Sequence, residues 1–182
     1  MPVYIYGILI AGIIAWFIPF VFAHRKTTSA STVDKRSRWG VLLQFAAFTL
    51  LWQGHFWTRQ LPSWRLIVCL TCFALAILLS WSSSQALGAH LRVDAALGAD
   101  HRLVRSGPYA LVRNPIYTSM LLVICAVAAV IAPWQLFAAS LMLFVVGTEI
   151  RVRTEEVLLK ERFGEKFQQY KKSVRAYIPF LY

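Results

Sequence analysis

The sequence predicts an all-α polytopic integral membrane protein, with five transmembrane helices and a cytoplasmic C-terminal amphipathic helix. Three observations predict it. Hydrophobic residues make up 58% of the 182 positions and charged residues only 15%, where soluble globular chains hold about 45–50% and about 25%. Four stretches carry no charge over the length that a span requires, about 20 apolar residues. The basic residues, which give a net charge of +11, fall between those stretches in the alternation that the positive-inside rule describes. The mean hydropathy of +0.58 excludes a disordered chain, which needs low hydrophobicity. In a soluble protein the positive charge would point to nucleic acid. Here it reads as loops facing an anionic leaflet, so the membrane and not nucleic acid is the partner.

The first span is 3–23, VYIYGILIAGIIAWFIPFVFA, without a charge. A cleaved signal peptide would need a basic segment ahead of it, and no Lys or Arg precedes Arg25. The second span is 39–58 and the third 66–84. Residues 114–148 are uncharged over a length too great for one comfortable span. Pro133 sits near their middle, and proline breaks or kinks a helix. They therefore read as a tight helical hairpin, the fourth and fifth spans. The division is a three-helix unit over 1–84 and a core over 85–182, made of a loop, the hairpin 115–148 and a C-terminal helix.

The charges test that count. Segment 24–38 holds five Lys/Arg, segment 59–65 two, segment 85–113 four, the hairpin tip none and the tail 149–182 eight. Five spans then place 17 of the 19 basic residues on one side. That side is the cytoplasm, with the N-terminus outside the cell membrane and the C-terminus inside.

Cys69 and Cys72 form a C-x-x-C within an apolar run. A zinc site needs four ligands and a redox pair an exposed turn. Neither fits, so no metal site is expected and these cysteines read as small hydrophobes. Gln44, Gln53 and His55 lie in the second span. Intramembrane polar residues tend to face the bundle interior; His55, near the outer end, reads as interfacial.

Two segments carry more pattern than a loop needs. In 100–119, DHRLVRSGPYALVRNPIYTS, Ser106-Gly107-Pro108 is a turn signal. Asn114-Pro115 is a helix start, a favoured N-cap followed by a favoured first helical residue. His101, Arg105, Tyr109, Arg113 and Tyr117 crowd around it. A helix N-terminus beside Arg113 suits an anion such as a carboxylate. A membrane-interface belt of Arg and Tyr accounts for the same residues. In 149–181, Val152, Glu156, Leu159, Phe163, Phe167, Tyr170 and Val174 recur at steps of three and four, one face of a helix continuing from the fifth span. Glu149 with Arg153 and Glu156 with Lys160 are favourable i,i+4 pairs. Glu156 is the odd member, a carboxylate on an apolar stripe, costly to bury unless paired. Either the stripe is wet there or Glu156 faces a pocket, accepting from a cofactor or a basic neighbour. On the pocket reading Glu155, nearer the edge, matters less, and Glu156→Leu raises thermal stability while abolishing turnover.

Together the two segments resemble the isoprenylcysteine carboxyl methyltransferase family and its phospholipid N-methyltransferase relatives. The resemblance rests on His101-Arg-Leu103, Gly107-Pro-Tyr109 and Arg113-Asn114-Pro115-Ile-Tyr117, then Glu155-Glu156, Phe163-Gly164, Tyr170 and Pro179. It covers about residues 85–182. It implies a membrane-embedded methyltransferase using S-adenosylmethionine, with a lipid or lipidated methyl acceptor. The cofactor-binding residues it implies are His101, Leu103, Gly107, Tyr109, Arg113, Asn114, Pro115, Tyr117, Glu155 and Glu156. A carboxylate acceptor would need orienting, for which Arg153 and Arg175 are the candidates. An amine acceptor would need a base, for which Glu155 or Glu156 serves. The nearest activity is protein-S-isoprenylcysteine carboxyl O-methylation. Asn114, standing where that family carries His, is more like the phospholipid N-methyltransferases, and Phe167 stands where the carboxyl methyltransferases often have Tyr. Two other readings are an NADPH-dependent sterol-reductase-like membrane enzyme and a lipid-binding membrane protein without catalysis.

Overall fold

The computed structural model describes residues 2–23, 36–54, 61–88 and 103–177. His55, His101 and Pro179 lie outside them. The described residues form six α-helices. Helix α1 spans Val3–Ala23, the bounds that the uncharged run dictates. Helix α2 spans Arg36–Leu50 and tightens into a 3₁₀ turn, Leu51–Gln53, before Gly54 turns extended. Helix α3 spans Ser63–Leu87, between Pro62 and Gly88. Helices α4 (Pro115–Ile131) and α5 (Trp134–Phe163) are separated at Ala132-Pro133, where proline was expected to divide the long apolar run.

The C-terminal helix differs from expectation. It is not one helix over 149–181. Its first half is the end of α5, which stops at Gly164 with φ +52°, a conformation that side chains disfavour. A separate α6 covers Glu165–Ser173, and extended backbone follows from Val174.

Among the described residues three helices are long and apolar enough to cross a membrane: Val3–Phe22, Ser63–Leu87 and Trp134–Phe163. Helix α4 is apolar but has 17 residues, about 26 Å. Helix α2 has 15 and its described part opens with Arg36 and Arg38.

The helices pack around an apolar core that includes Ile5, Leu9, Leu51, Ile124 and Ile131, yet large apolar side chains also cover the outside and small polar ones are buried with the core. Ile10, Phe17, Trp39, Phe45, Ile67, Leu78 and Met142 are exposed, whereas Ser80, Ser83, Ser119 and Ser140 are fully buried. So much exposed apolar surface, with the hydroxyls turned inward, suits an apolar solvent. Helix α3 runs along α4 and α1, and α5 runs along α2. The buried hydroxyls pin these crossings. The Trp16 indole donates to Ser119 Oγ at 3.0 Å and Ser80 Oγ donates to the Trp16 carbonyl at 2.9 Å. Ser140 Oγ donates to the Ala47 carbonyl at 2.7 Å.

Two glycines set the α2–α5 crossing. A Cβ on Gly147 would lie 2.7 Å from the Gly40 carbonyl oxygen, and one on Gly40 would lie 2.5 Å from that of Gly147. Backbone faces backbone, so nothing flexible can yield; small residues allow such approach in membrane bundles. Gly147→Val should lower stability by about 1–3 kcal/mol, read as an earlier thermal transition in detergent. A melting curve like that of wild type would show that the crossing is loose.

Candidate active site

The start of α4 is held by the chain that follows α6. Arg113 N donates to the Arg175 carbonyl at 2.7 Å and Asn114 N to that of Ala176 at 3.0 Å, closing a parallel bridge between Val112 and Arg175. Asn114 occupies the N-cap position, as its sequence context predicts, but makes no side-chain cap. Its Nδ2 donates across to the Ala176 carbonyl at 3.1 Å. Thr118 Oγ1 donates to the Tyr177 carbonyl at 2.9 Å. This stitching leaves the first turn of α4 free of a side-chain cap beside Arg113.

The turn Gly107–Ala110 closes one side. Gly107 has φ +61°. Tyr109 is buried, and its carbonyl accepts from Tyr170 Oη of α6 at 2.6 Å. The Arg105 guanidinium lies 5.4 Å from the Tyr170 ring centroid and donates to the Lys166 carbonyl. Burial pushes the Tyr109 phenol far above the ordinary range. Burial also raises the Tyr170 phenol to about 12, against the pull of Arg113 and Arg105. Both stay neutral donors at physiological pH, structural rather than basic.

The adjacent carboxylates on α5 take different partners. Glu156 Oε1 lies 2.9 Å from Arg113 Nη1 and Oε2 lies 2.5 Å from Lys171 Nζ. The Arg113 and Glu156 side chains are 11% and 18% exposed. Glu156 thus ties α5 to the start of α4 and to α6, and its carboxylate faces these residues rather than Lys160. Glu155 accepts from Tyr117 Oη at 2.5 Å. Its other neighbour is Arg151 Nη2 at 3.8 Å. It is the more exposed of the two side chains, 30% against 18%, as helix spacing indicated, yet Tyr117 of α4 reaches over to it.

Behind Glu155 is a polar chain. The Arg151 guanidinium lies 5.2 Å from the Tyr117 ring centroid, and its Nη1 donates to Gln44 Oε1 at 3.2 Å. Gln44 Nε2 in turn donates to Thr148 Oγ1 at 2.8 Å. Gln44, Thr148 and Arg151 are all buried.

Of the residues that sequence singles out, Tyr109, Arg113, Asn114, Pro115, Tyr117, Glu155 and Glu156 meet around the start of α4. Leu103 is half-buried and Gly107 exposed, at the turn that precedes Tyr109. Arg153 does not join them. Its side chain is 76% exposed and its Nε donates to Glu149 Oε1 at 2.7 Å, the expected i,i+4 pair. Tyr177 Oη donates to the other oxygen of Glu149 at 3.0 Å. The Arg175 side chain is exposed, and its contribution here is a carbonyl. Sequence reading missed Arg151, Thr148 and Lys171. Arg151 carried a signal, since it stands four residues before Glu155 on one helix face.

The site suits a ligand with a carboxylate. Arg113 Nε is buried without a hydrogen-bond partner among the described residues. Its Nη1 is close to Glu156 but poorly aimed for a hydrogen bond. The guanidinium thus keeps donors unspent, beside the uncapped first turn of α4. A buried donor left unmet costs about 1–3 kcal/mol, and an anionic ligand removes that cost. No group of three His, Cys, Asp or Glu residues capable of holding a metal occurs among the described residues.

A family model described as phospholipid methyltransferase matches residues 64–166, more than half of the chain. No curated protein matches the chain significantly. The match takes in α3, α4 and α5, with both carboxylates, Arg113 and Tyr117. It leaves out α1, α2 and most of α6.

Proposed function

We propose a lipid amine as the methyl acceptor of this chain, which belongs to the phospholipid methyltransferase family and is a membrane methyltransferase. S-adenosylmethionine is the methyl donor expected for such an enzyme, and it supplies an electrophilic methyl group. Residues 85–182 form the core that binds it. Arg113 and the first-turn N–H groups of α4 hold its carboxylate. Glu156 accepts from its ammonium or ribose hydroxyls. A headgroup amine enters from the membrane. Glu155 would take the proton that the amine must lose before its lone pair can attack the methyl carbon, whose bond to sulfur would break with the electron pair left on a neutral thioether, while Tyr117 fixes the direction of the carboxylate.

The observation that carries this reading is the Glu155–Tyr117 contact of 2.5 Å. It gives the Glu155 carboxylate a fixed direction, and an ammonium acceptor has a proton for that carboxylate to take where a carboxylate acceptor has none. An isoprenylcysteine carboxylate is the alternative acceptor. It calls for a guanidinium to orient it, and Arg153 is turned outward onto Glu149.

The test is binding and transfer with protein purified in detergent. S-adenosylmethionine should bind and NADPH should not. Label from the cofactor should appear on an ethanolamine phospholipid. Binding of NADPH alone would overturn methyl transfer in favour of a reductase. Label on a farnesylcysteine carboxylate alone would overturn the amine acceptor. We further propose five spans, with α2 and α4 completing the set and the C-terminal side in the cytoplasm of the cell. A reporter fused after Tyr182 should then be active only in the cytoplasm, and activity on the opposite face would reverse the topology.

A further inference from the structure

The polar chain Gln44–Arg151–Glu155 buries Gln44 and Arg151 where an apolar contact would serve the packing. A buried guanidinium is costly unless its donors are met. Helix α5 could fill the position with Leu or Met at no such cost. Arg151 instead has neighbours in three directions. Gln44 of α2 accepts from Nη1 at 3.2 Å. The Tyr117 ring of α4 lies under the guanidinium at 5.2 Å. Glu155, one turn further along α5, faces Nη2 at 3.8 Å. That last distance is too long for a hydrogen bond. It acts as a charge that draws the carboxylate toward Tyr117 without occupying its second oxygen.

Gln44 cannot swing freely, because its own Nε2 is tied to Thr148 Oγ1 at 2.8 Å. The Gly40–Gly147 contact one turn before fixes the spacing of the two helices. Helix α2 lies outside residues 64–166, which match the family model, yet it reaches within two side chains of the carboxylate.

We propose that Gln44 and Arg151 are positioning residues that aim the Glu155 carboxylate at the acceptor, so that α2 sets the geometry of a site whose reacting groups lie on α4 and α5. The proposal rests on the role of Glu155 in the proposed function. Two elements fix one carboxylate. Arg151 and Tyr117 set its direction, and Gln44 sets Arg151. Removing Gln44 leaves every charge in place but lets the guanidinium move.

The experiment uses full-length protein in lipid nanodiscs, with Gln44→Leu, Gln44→Glu, Arg151→Lys and Glu155→Gln. Calorimetry reads S-adenosylmethionine affinity without acceptor, thermal melting reads the fold, and steady-state assays separate kcat from KM. Gln44→Leu and Arg151→Lys should each lower kcat roughly tenfold, the size of a coupling of about 1.4 kcal/mol. Cofactor affinity should be unchanged. Gln44→Glu, which keeps an acceptor for Arg151, should recover most of the loss. In a Glu155→Gln background Gln44→Leu should have no further effect, because it acts through that carboxylate. A further loss in that background, or cofactor affinity falling in step with kcat, would overturn the proposal. Should Arg151→Lys fail to fold, the two Gln44 variants decide alone, since they alter no charge on α5. If wild-type protein neither binds S-adenosylmethionine nor transfers methyl, the proposed function itself fails, a different result from a wild-type enzyme indifferent to Gln44.

Discussion

Glu155→Gln should cut turnover by roughly 10²- to 10⁴-fold, the range that a positioned proton acceptor contributes. The substitution keeps the shape and an oxygen that Tyr117 Oη can reach. It removes the basicity. Cofactor affinity should therefore stay close to wild type, because Arg113 and Lys171 pair with Glu156 and not with Glu155, while the melting temperature should fall modestly as buried Arg151 loses the charge 3.8 Å away. Glu155→Asp retains the charge on a shorter arm, withdrawn from Tyr117, and should fall between the two. The measurement is kcat at saturating cofactor and lipid, with the three proteins compared at one pH. A kcat for Glu155→Gln within a few-fold of wild type would remove Glu155 from proton transfer and leave its pairing with Tyr117 as structural.

The helices were legible in the sequence wherever one local signal governed them. The bounds of α1 follow from an uncharged run, the start of α4 from Asn114-Pro115, and its separation from α5 from Pro133. The second predicted span fared differently. Helix α2 ends at Leu50 and passes into a 3₁₀ turn, although the apolar run continues, since hydrophobicity fixes a residue's solvent and not its backbone. Gly164 divided the C-terminal helix for the converse reason. The stripe from Val152 to Val174 keeps helical spacing across it, but periodicity is blind to one residue at positive φ.

The site was legible as residue types and not as partners. Arg113, Tyr117, Glu155 and Glu156 were each singled out, and they do converge. Which carboxylate faces which cation depends on how α4 crosses α5, and a helical wheel for α5 holds no information about α4. That is why the Tyr117 contact of Glu155 is not legible on the wheel, and why Arg153, in the Glu-before-Arg order at the same i,i+4 spacing, drew attention that Arg151 deserved on contact geometry. Gln44 was visible as a polar residue within a span. Its contact with Arg151 depends on the glycine crossing of α2 and α5, which a single-helix pattern does not contain.

Glu156→Leu shows the same gap as a reversal of sign. Considered on α5 alone, a Leu on an apolar stripe should stabilise. In the folded chain Glu156 is the common partner of Arg113 from the start of α4 and Lys171 from α6. Leu would leave the Arg113 guanidinium, 11% exposed, without a counter-charge. Removing one member of a buried pair costs about 3–5 kcal/mol. With Glu156 18% exposed and Lys171 half in solvent, about 2–3 kcal/mol is the expected loss, after discounting for screening. The melting temperature of Glu156→Leu should therefore fall rather than rise, and cofactor binding should fall with it, since Arg113 loses the contact that holds it at α4. Both losses alone would not separate a structural role from a functional one. The double variant Arg113→Met with Glu156→Leu does, because replacing both partners of a buried pair by apolar side chains is often neutral or stabilising. That protein should regain most of the melting temperature and none of the affinity for S-adenosylmethionine. Recovery of both would make the pair a replaceable strut between α4 and α5, with the cofactor carboxylate bound elsewhere.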